Sequence, residues 1–214
     1  MTAEFPPAPQ GAHQFFGGRL ARAEAFAAIL ADTGVSHGLI GPREVPILWE
    51  RHILNCAVIE DAFTRDARVV DVGSGAGLPG VAVAIARPDL DIHLVEPMLR
   101  RTDWLRATIT DLALDNVTVH RGRAEELHGH LWGAYVTARA VARLDKLARW
   151  CLPLTRPGGQ LVAMKGRSAA EELEAATKVL RRLGVVSSRV SSHGAEVLTE
   201  PTLTVDCTRG PGGA

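Results

Sequence analysis

Hydrophobic residues recur along the chain in two rhythms, and the change between them falls near residue 65. Upstream, Phe15, Phe16, Leu20, Ala23, Phe26, Ala27, Ile29 and Leu30 keep the three- and four-residue spacing of an amphipathic helix over residues 15–34. A second helical pattern runs from Gly41 to Phe63, with Pro42 near its first turn and Pro46 early in the helix or at a kink. Downstream the texture is different. "RVVDV", "DIHLVE", "NVTVHRG", "GAYVTAR" and "GQLVAMKG" read as short strands. "LPGVAVAIAR", "MLRRTDWLRATITDLAL", "ARLDKLARWCLPLT" and "AAEELEAATKVLRRLG" read as helices, the third ended by Pro157, Gly158 and Gly159. "VVSSRVSSH" and "TLTVDCT" then close the chain as two strands with no long helix between them. Such alternation predicts an α/β fold, Rossmann-like, with a mostly parallel seven-stranded sheet covered on both faces. The last two strands predict an antiparallel hairpin at one edge.

The expected organisation is a flexible lead over residues 1–12, a helical extension over 13–65, one α/β domain over 66–209 and a tail over 210–214. A chain of 214 residues, 46% hydrophobic and 22% charged, suits one globular domain with added decoration. Its 24 basic and 24 acidic residues cancel, so any contact with nucleic acid has to come from local placement of charge. Cys56, Cys151 and Cys207 are odd in number and scattered, which predicts a reducing, cytoplasmic setting. His128 and His130 sit in a glycine-rich turn and read as a solvated loop, so no metal is expected. No run of roughly 18 apolar residues occurs, and no membrane association is expected. The Pro-rich start lacks the basic-then-apolar order of a signal peptide.

The candidate chemistry gathers after the first strand, in "DVGSGAGLPG". A strand that feeds a glycine turn and then a helix brings backbone N–H groups to a ligand. The spacing supports two readings. Gly75, Gly77 and Gly80 spell the dinucleotide pattern G-x-G-x-x-G, whereas Asp71, Gly73, Gly75 and Gly77 spell the D-x-G-x-G-x-G of an S-adenosylmethionine site. Asp71 favours the second, because an acidic strand end repels a pyrophosphate but tolerates an ammonium and a sulfonium. No G-K-[ST] follows, which excludes a Walker P-loop. Glu96, ending the second strand, suits a ribose diol and does not separate the two ligands. A small-molecule methyltransferase, a nicotinamide-dependent oxidoreductase and a non-enzymatic RNA-binding protein remain open on these residues alone.

"DVGSGAGLPG", "RGRAEE", "TARAV", "WERHILNC" and "MKG" together resemble the RsmG (GidB) family of bacterial ribosomal RNA methyltransferases, over about residues 15–208. Asn55, Cys56 and Thr137 are mild departures from the family's usual residues. The resemblance implies a class I methyltransferase fold. It implies methyl transfer from S-adenosylmethionine to N7 of a guanine, guanine 527 in the 530 loop of 16S rRNA, leaving S-adenosylhomocysteine. It implies a donor site of Asp71, Gly73, Gly75, Leu78, Glu96, Ala124, Glu125 and Arg139, with Arg139 orienting substrate or donor at the fourth strand's end.

Guanine N7 has a free lone pair at neutral pH, so the implied reaction needs alignment and no general base. The chain has no D/N-P-P-Y motif for an exocyclic amine and no cysteine after the fourth strand for covalent attack on a pyrimidine. RNA contact is expected from Arg51, His52, Arg100, Arg101, Arg123, Lys165 and Arg167, with Arg121, Arg143, Lys146 and Arg149 as further basic candidates. His52 also fits a hydrogen-bonded packing role. Arg181 and Arg182 read as a solvated pair. The expected partner is 16S rRNA within the small ribosomal subunit or its precursor, and the expected state is a monomer.

Overall fold

A computed structural model describes residues 6–139 and 141–212. Parts of the expected lead and tail (residues 1–5, 213 and 214) and Ala140 of the "TARAV" motif lie outside the described residues. The strands are β1 (Arg68–Val72), β2 (Asp91–Glu96), β3 (Val117–Arg121), β4 (Gly133–Arg139), β5 (Thr155–Lys165), β6 (Val185–His193) and β7 (Thr202–Arg209). They form a single sheet in the order β3-β2-β1-β4-β5-β7-β6. Strands β1 to β5 are parallel. Strand β7 runs antiparallel to both β5 and β6, which is the expected edge hairpin. From β1 the chain travels out to β3 and then returns to the other side of β1 as β4. This reversal leaves a crevice at the carboxyl ends of β1 and β4, where open α/β sheets place their ligands.

The helices are α1 (Ala12–Phe16), α2 (Leu20–Ile29), α3 (Asn55–Ala57), α4 (Gly80–Ala86), α5 (Leu99–Asp111), α6 (Leu144–Cys151) and α7 (Ala169–Arg182). Strand residues alternate between two buried clusters, as a pleated strand covered on both faces requires. Val69, Ile92 and Leu94 pack with α4, α5 and the helical extension. Val70, Val72, Val95 and Val136 pack with α6 and α7. The extension and α4 therefore share one core. Arg19 strengthens that join by donating from Nε to the Ile85 carbonyl (2.8 Å) and from Nη2 to the Ala86 carbonyl (2.7 Å). Those are among the carbonyls that the end of a helix leaves without partners.

Three sequence expectations need correction. The helix expected over 15–34 is divided: α1 ends at Gly17 (φ +49°), a 3-10 turn spans Gly17–Arg19, and α2 closes in a π-turn over Leu30–Gly34. The helix expected from Gly41 to Phe63 is a succession of a 3-10 segment (Pro42–Ile47), a π-turn (Trp49–Leu54), α3 and a further 3-10 turn (Val58–Ala62). Pro46 lacks the N–H that an α-helix needs there. Finally, Pro157, Gly158 and Gly159 do not end α6. That helix stops at Cys151 before a 3-10 turn over Leu152–Leu154, and the three residues form an irregularity inside β5. Register jumps from Gly133 opposite Thr155 to Tyr135 opposite Gln160.

Candidate active site

The carboxyl ends of β1, β2 and β4 converge on the glycine loop. Gly73 turns the chain with φ +74° and donates its N–H to the Val95 carbonyl at 2.8 Å, which ties the loop to β2. Gly75 has φ +52°, and a Cβ there would meet nothing nearer than the Gly73 carbonyl oxygen at 3.8 Å. Space is therefore open above Gly75, and a side chain would fill it. Gly80 differs, since its Cβ would strike Leu94 Cδ2 at 2.3 Å.

Two carboxylates anchor the loop. Glu96 is 2% exposed. Its Oε2 accepts from Gly75 N (3.2 Å) and its Oε1 from Met98 N (3.0 Å). Arg101 Nη1 lies 3.7 Å from Oε2. Asp71 is fully buried, and its Oδ2 accepts from Gly80 N at 3.0 Å. Its Oδ1 has no hydrogen-bond partner among the described residues. Burial pushes the Asp71 carboxyl up to about 7, against the pull of the Gly80 N–H, Ser74 and Arg139.

Arg139, at the end of β4, stands between two clefts. One, of about 480 Å³, is lined by the glycine loop, Leu39, Glu44, His52 and Arg101. The other, of about 510 Å³, is lined by Asn55, Val141, Arg143, Met164, Lys165 and Thr202. Arg51 and Arg139 line both. Arg139 donates from Nη1 to the Arg51 carbonyl (3.3 Å) and contacts His52 Nδ1 through Nη2 (3.1 Å). His52 Nε2 lies 2.8 Å from Glu44 Oε2, which also holds Arg51 Nε at 3.3 Å. Burial and the Arg139 cation lower the His52 pKa, and Glu44 opposes them.

The sequence-predicted residues divide accordingly. Gly73, Gly75, Leu78, Arg51, His52, Arg101 and Arg139 come together in the first cleft. Asp71 and Glu96 lie beneath it and hold its floor. Ala124 and Glu125 open the 3-10 turn after β3, and the Gly122 N–H bonds the Glu96 carbonyl at 3.2 Å. Arg100 points elsewhere: it donates to the His37 carbonyl and lines a groove of about 1220 Å³ between residues 28–37 and α5. Arg123 and Arg143 are exposed. Arg167 is exposed and paired with Glu200.

Lys165 departs from the expectation of a free cation for phosphate. Its side chain is 8% exposed, and Nζ donates to the Ala142 carbonyl (2.7 Å) and to Glu172 Oε2 (2.8 Å). Sequence reading passed over Glu44 and Glu172, because each meets its partner across a change of element that no local spacing reveals.

Comparison with known proteins bears on this arrangement. Residues 19–201 match the family model described as rRNA small subunit methyltransferase G. A protein of Streptomyces avermitilis named "Ribosomal RNA small subunit methyltransferase G" is 53% identical, over 95% of this chain and 86% of that one. The Thermobifida fusca protein of the same name is 56% identical, over 85% and 76%. Solved structures agree in fold. The S-adenosylmethionine-dependent methyltransferase SibL has a TM-score of 0.62 at 18% identity, over 86% of this chain and 62% of that one. M. jannaschii TYW2, solved in complex with AdoMet, has a TM-score of 0.58 at 14% identity, over 73% and 74%. With the family model and relatives above half identity spanning nearly the whole chain, the protein belongs to the rRNA small subunit methyltransferase G (GidB) family.

Proposed function

We propose that the protein transfers a methyl group from S-adenosylmethionine to N7 of a guanine in 16S rRNA, guanine 527 of the 530 loop by family resemblance, without a general base. The relatives' names carry the RNA class. The residues of the first cleft fit the donor. Glu96 offers a carboxylate to a ribose diol at the end of β2. The open space above Gly75 admits a ligand's approach, and the unpartnered buried Asp71 Oδ1 suits a nearby cation. Ala124 and Glu125 border the adenine side in this reading.

When bound, the donor supplies an electrophilic methyl carbon on a sulfonium, which leaves as the neutral thioether of S-adenosylhomocysteine. Guanine N7 attacks with its own lone pair and loses no proton. The chain's residues therefore orient and hold. Arg139 keeps N–H groups beyond those given to the Arg51 carbonyl and His52, and one of them directed at guanine O6 would hold the base while leaving the N7 lone pair free. The observation that carries the base-free reading is the state of His52. Both its ring nitrogens are engaged, one by Arg139 and the other by Glu44, so neither is available to take a proton from substrate. Arg51, Arg123, Arg143 and Arg167 supply phosphate contacts to 16S rRNA within the small ribosomal subunit or its precursor.

The test is methylation of purified small subunits and of naked 16S rRNA with labelled donor, followed by chemical cleavage at 7-methylguanine. One labelled N7 in the 530 loop is expected. Label on another atom or in another RNA would overturn the reading.

A further inference from the structure

We infer that Glu44, acting through His52, fixes the position of Arg139 where the two clefts meet, so that both are positioning residues for methyl transfer. This rests on reading those clefts as donor and acceptor sides.

The hydrogen-bond chain has only one consistent direction. Arg139 has donors alone, so at 3.1 Å from its Nη2 the His52 Nδ1 must be the acceptor and carry no proton. The His52 proton then sits on Nε2, which donates to Glu44 Oε2 at 2.8 Å. Glu44 and Arg139 favour this tautomer together, one as the acceptor at Nε2 and the other as the donor at Nδ1. Glu44 is itself held by Arg51 Nε at 3.3 Å, and the Arg51 carbonyl accepts from Arg139 Nη1. Arg139 is thus held at two nitrogens by adjacent residues of the extension, 88 and 87 positions earlier in the chain. Arg139, which lines both clefts, is therefore braced from outside the sheet.

Protonation of His52 breaks the brace. An Nδ1–H would face the Arg139 guanidinium, exchanging a hydrogen bond for a like-charge contact. Glu44 and Arg51 of the extension and Arg139 of β4 are the charges that act on His52. Arg139 in turn acts electrostatically on Asp71 and on the Cys56 thiol. Burial and the arginines hold His52 below its ordinary 6.5, with Glu44 opposing. The braced arrangement is therefore present at neutral pH and above, and is lost as pH falls through that lowered value.

Two measurements test this on the full chain. Histidine ¹⁵N NMR reads the tautomer and its titration without any substrate. Single-turnover methylation of small subunits at saturating donor, over about pH 5 to 8.5, reads the rate. Wild type should show the Nε2–H tautomer and an acid limb below pH 6.5. Glu44→Gln keeps an acceptor but removes a charge. It should keep most of the plateau rate and move the limb down by about one unit. Glu44→Ala should lose about 10²-fold of the plateau rate with donor affinity retained. His52→Gln should give a slower rate with no acid limb.

An Nδ1–H tautomer, an unmoved limb in Glu44→Gln or a full rate in Glu44→Ala would each overturn the brace. Failure of wild type to methylate small-subunit RNA would instead overturn the proposed function, while the NMR arm would still decide the hydrogen-bond chain.

Discussion

Asp71 shows how much a single side chain carries. It is fully buried beneath the glycine loop, with one oxygen on Gly80 N and the other unpartnered among the described residues. Its carboxyl is raised to about 7, mainly by burial. The folded protein then keeps a proton that the unfolded chain releases near 3.8. That contribution to stability is complete below the unfolded value and is lost as pH rises toward and through about 7. Asp71→Asn keeps the acceptor for Gly80 and removes the titration. Its melting temperature should therefore gain on wild type between about pH 5 and 8, while its donor affinity falls. Calorimetric scans across that range check the first part and donor titrations the second. Parallel stability curves would show that Asp71 does not titrate on folding. Asp71 and Glu96 were both readable in the sequence, since the end of a strand is a position that periodicity finds. Glu44 was not, because it reaches His52 only through the turns that Pro42 and Pro46 impose.

The loop after β4 depends on a pairing between elements. Lys165 ends β5, Glu172 lies in the first turn of α7, and the pair holds both the Ala142 carbonyl and, through Glu172, the Leu144 N–H. Lys165→Met removes the cation and leaves partly buried acceptors unmatched. It should cost about 1–3 kcal/mol of stability, measured by urea unfolding. It should leave the salt dependence of RNA binding unchanged. Arg143→Ala, which changes an exposed cation in the second cleft, should instead reduce the salt slope by about one unit without a stability loss. A reduced slope in Lys165→Met would restore that residue to the RNA path. The same contrast shows what sequence reading resolves. Strand and helix alternation after residue 65 identified all seven strands, because β-branched runs and helical spacing differ strongly in period. A basic residue near a strand end gave no sign of whether its charge was already matched. The broken helices of the extension were hidden for a related reason: their apolar spacing fits an α-helix, while glycine and proline backbones decide the actual turns.

At the scale of the whole molecule, α4 joins the glycine loop to the extension. Asp71 grips its first residue, Gly80, and Arg19 grips the carbonyls of Ile85 and Ala86 at its end. A proposed boundary near residue 65 separates two textures of sequence, yet the buried cluster runs across it from Phe16 and Phe26 to Val81 and Ile85. A core shared in this way should melt as one unit. Arg19→Met keeps much of the side chain's apolar length and removes both hydrogen bonds. Hydrogen bonds from a charged donor contribute about 1.5–3 kcal/mol, so the loss should lie in or somewhat above that range. For a chain of this size the melting temperature should fall by roughly 2–4 °C per kcal/mol. The transition should remain single, with near-ultraviolet and far-ultraviolet dichroism superimposable. Hydrogen exchange should accelerate at the end of α4 and in α2 together. Two separated transitions, in wild type or variant, would mean that the extension folds independently of the sheet. The brace that Glu44 and His52 place on Arg139 would then be attached to a movable part.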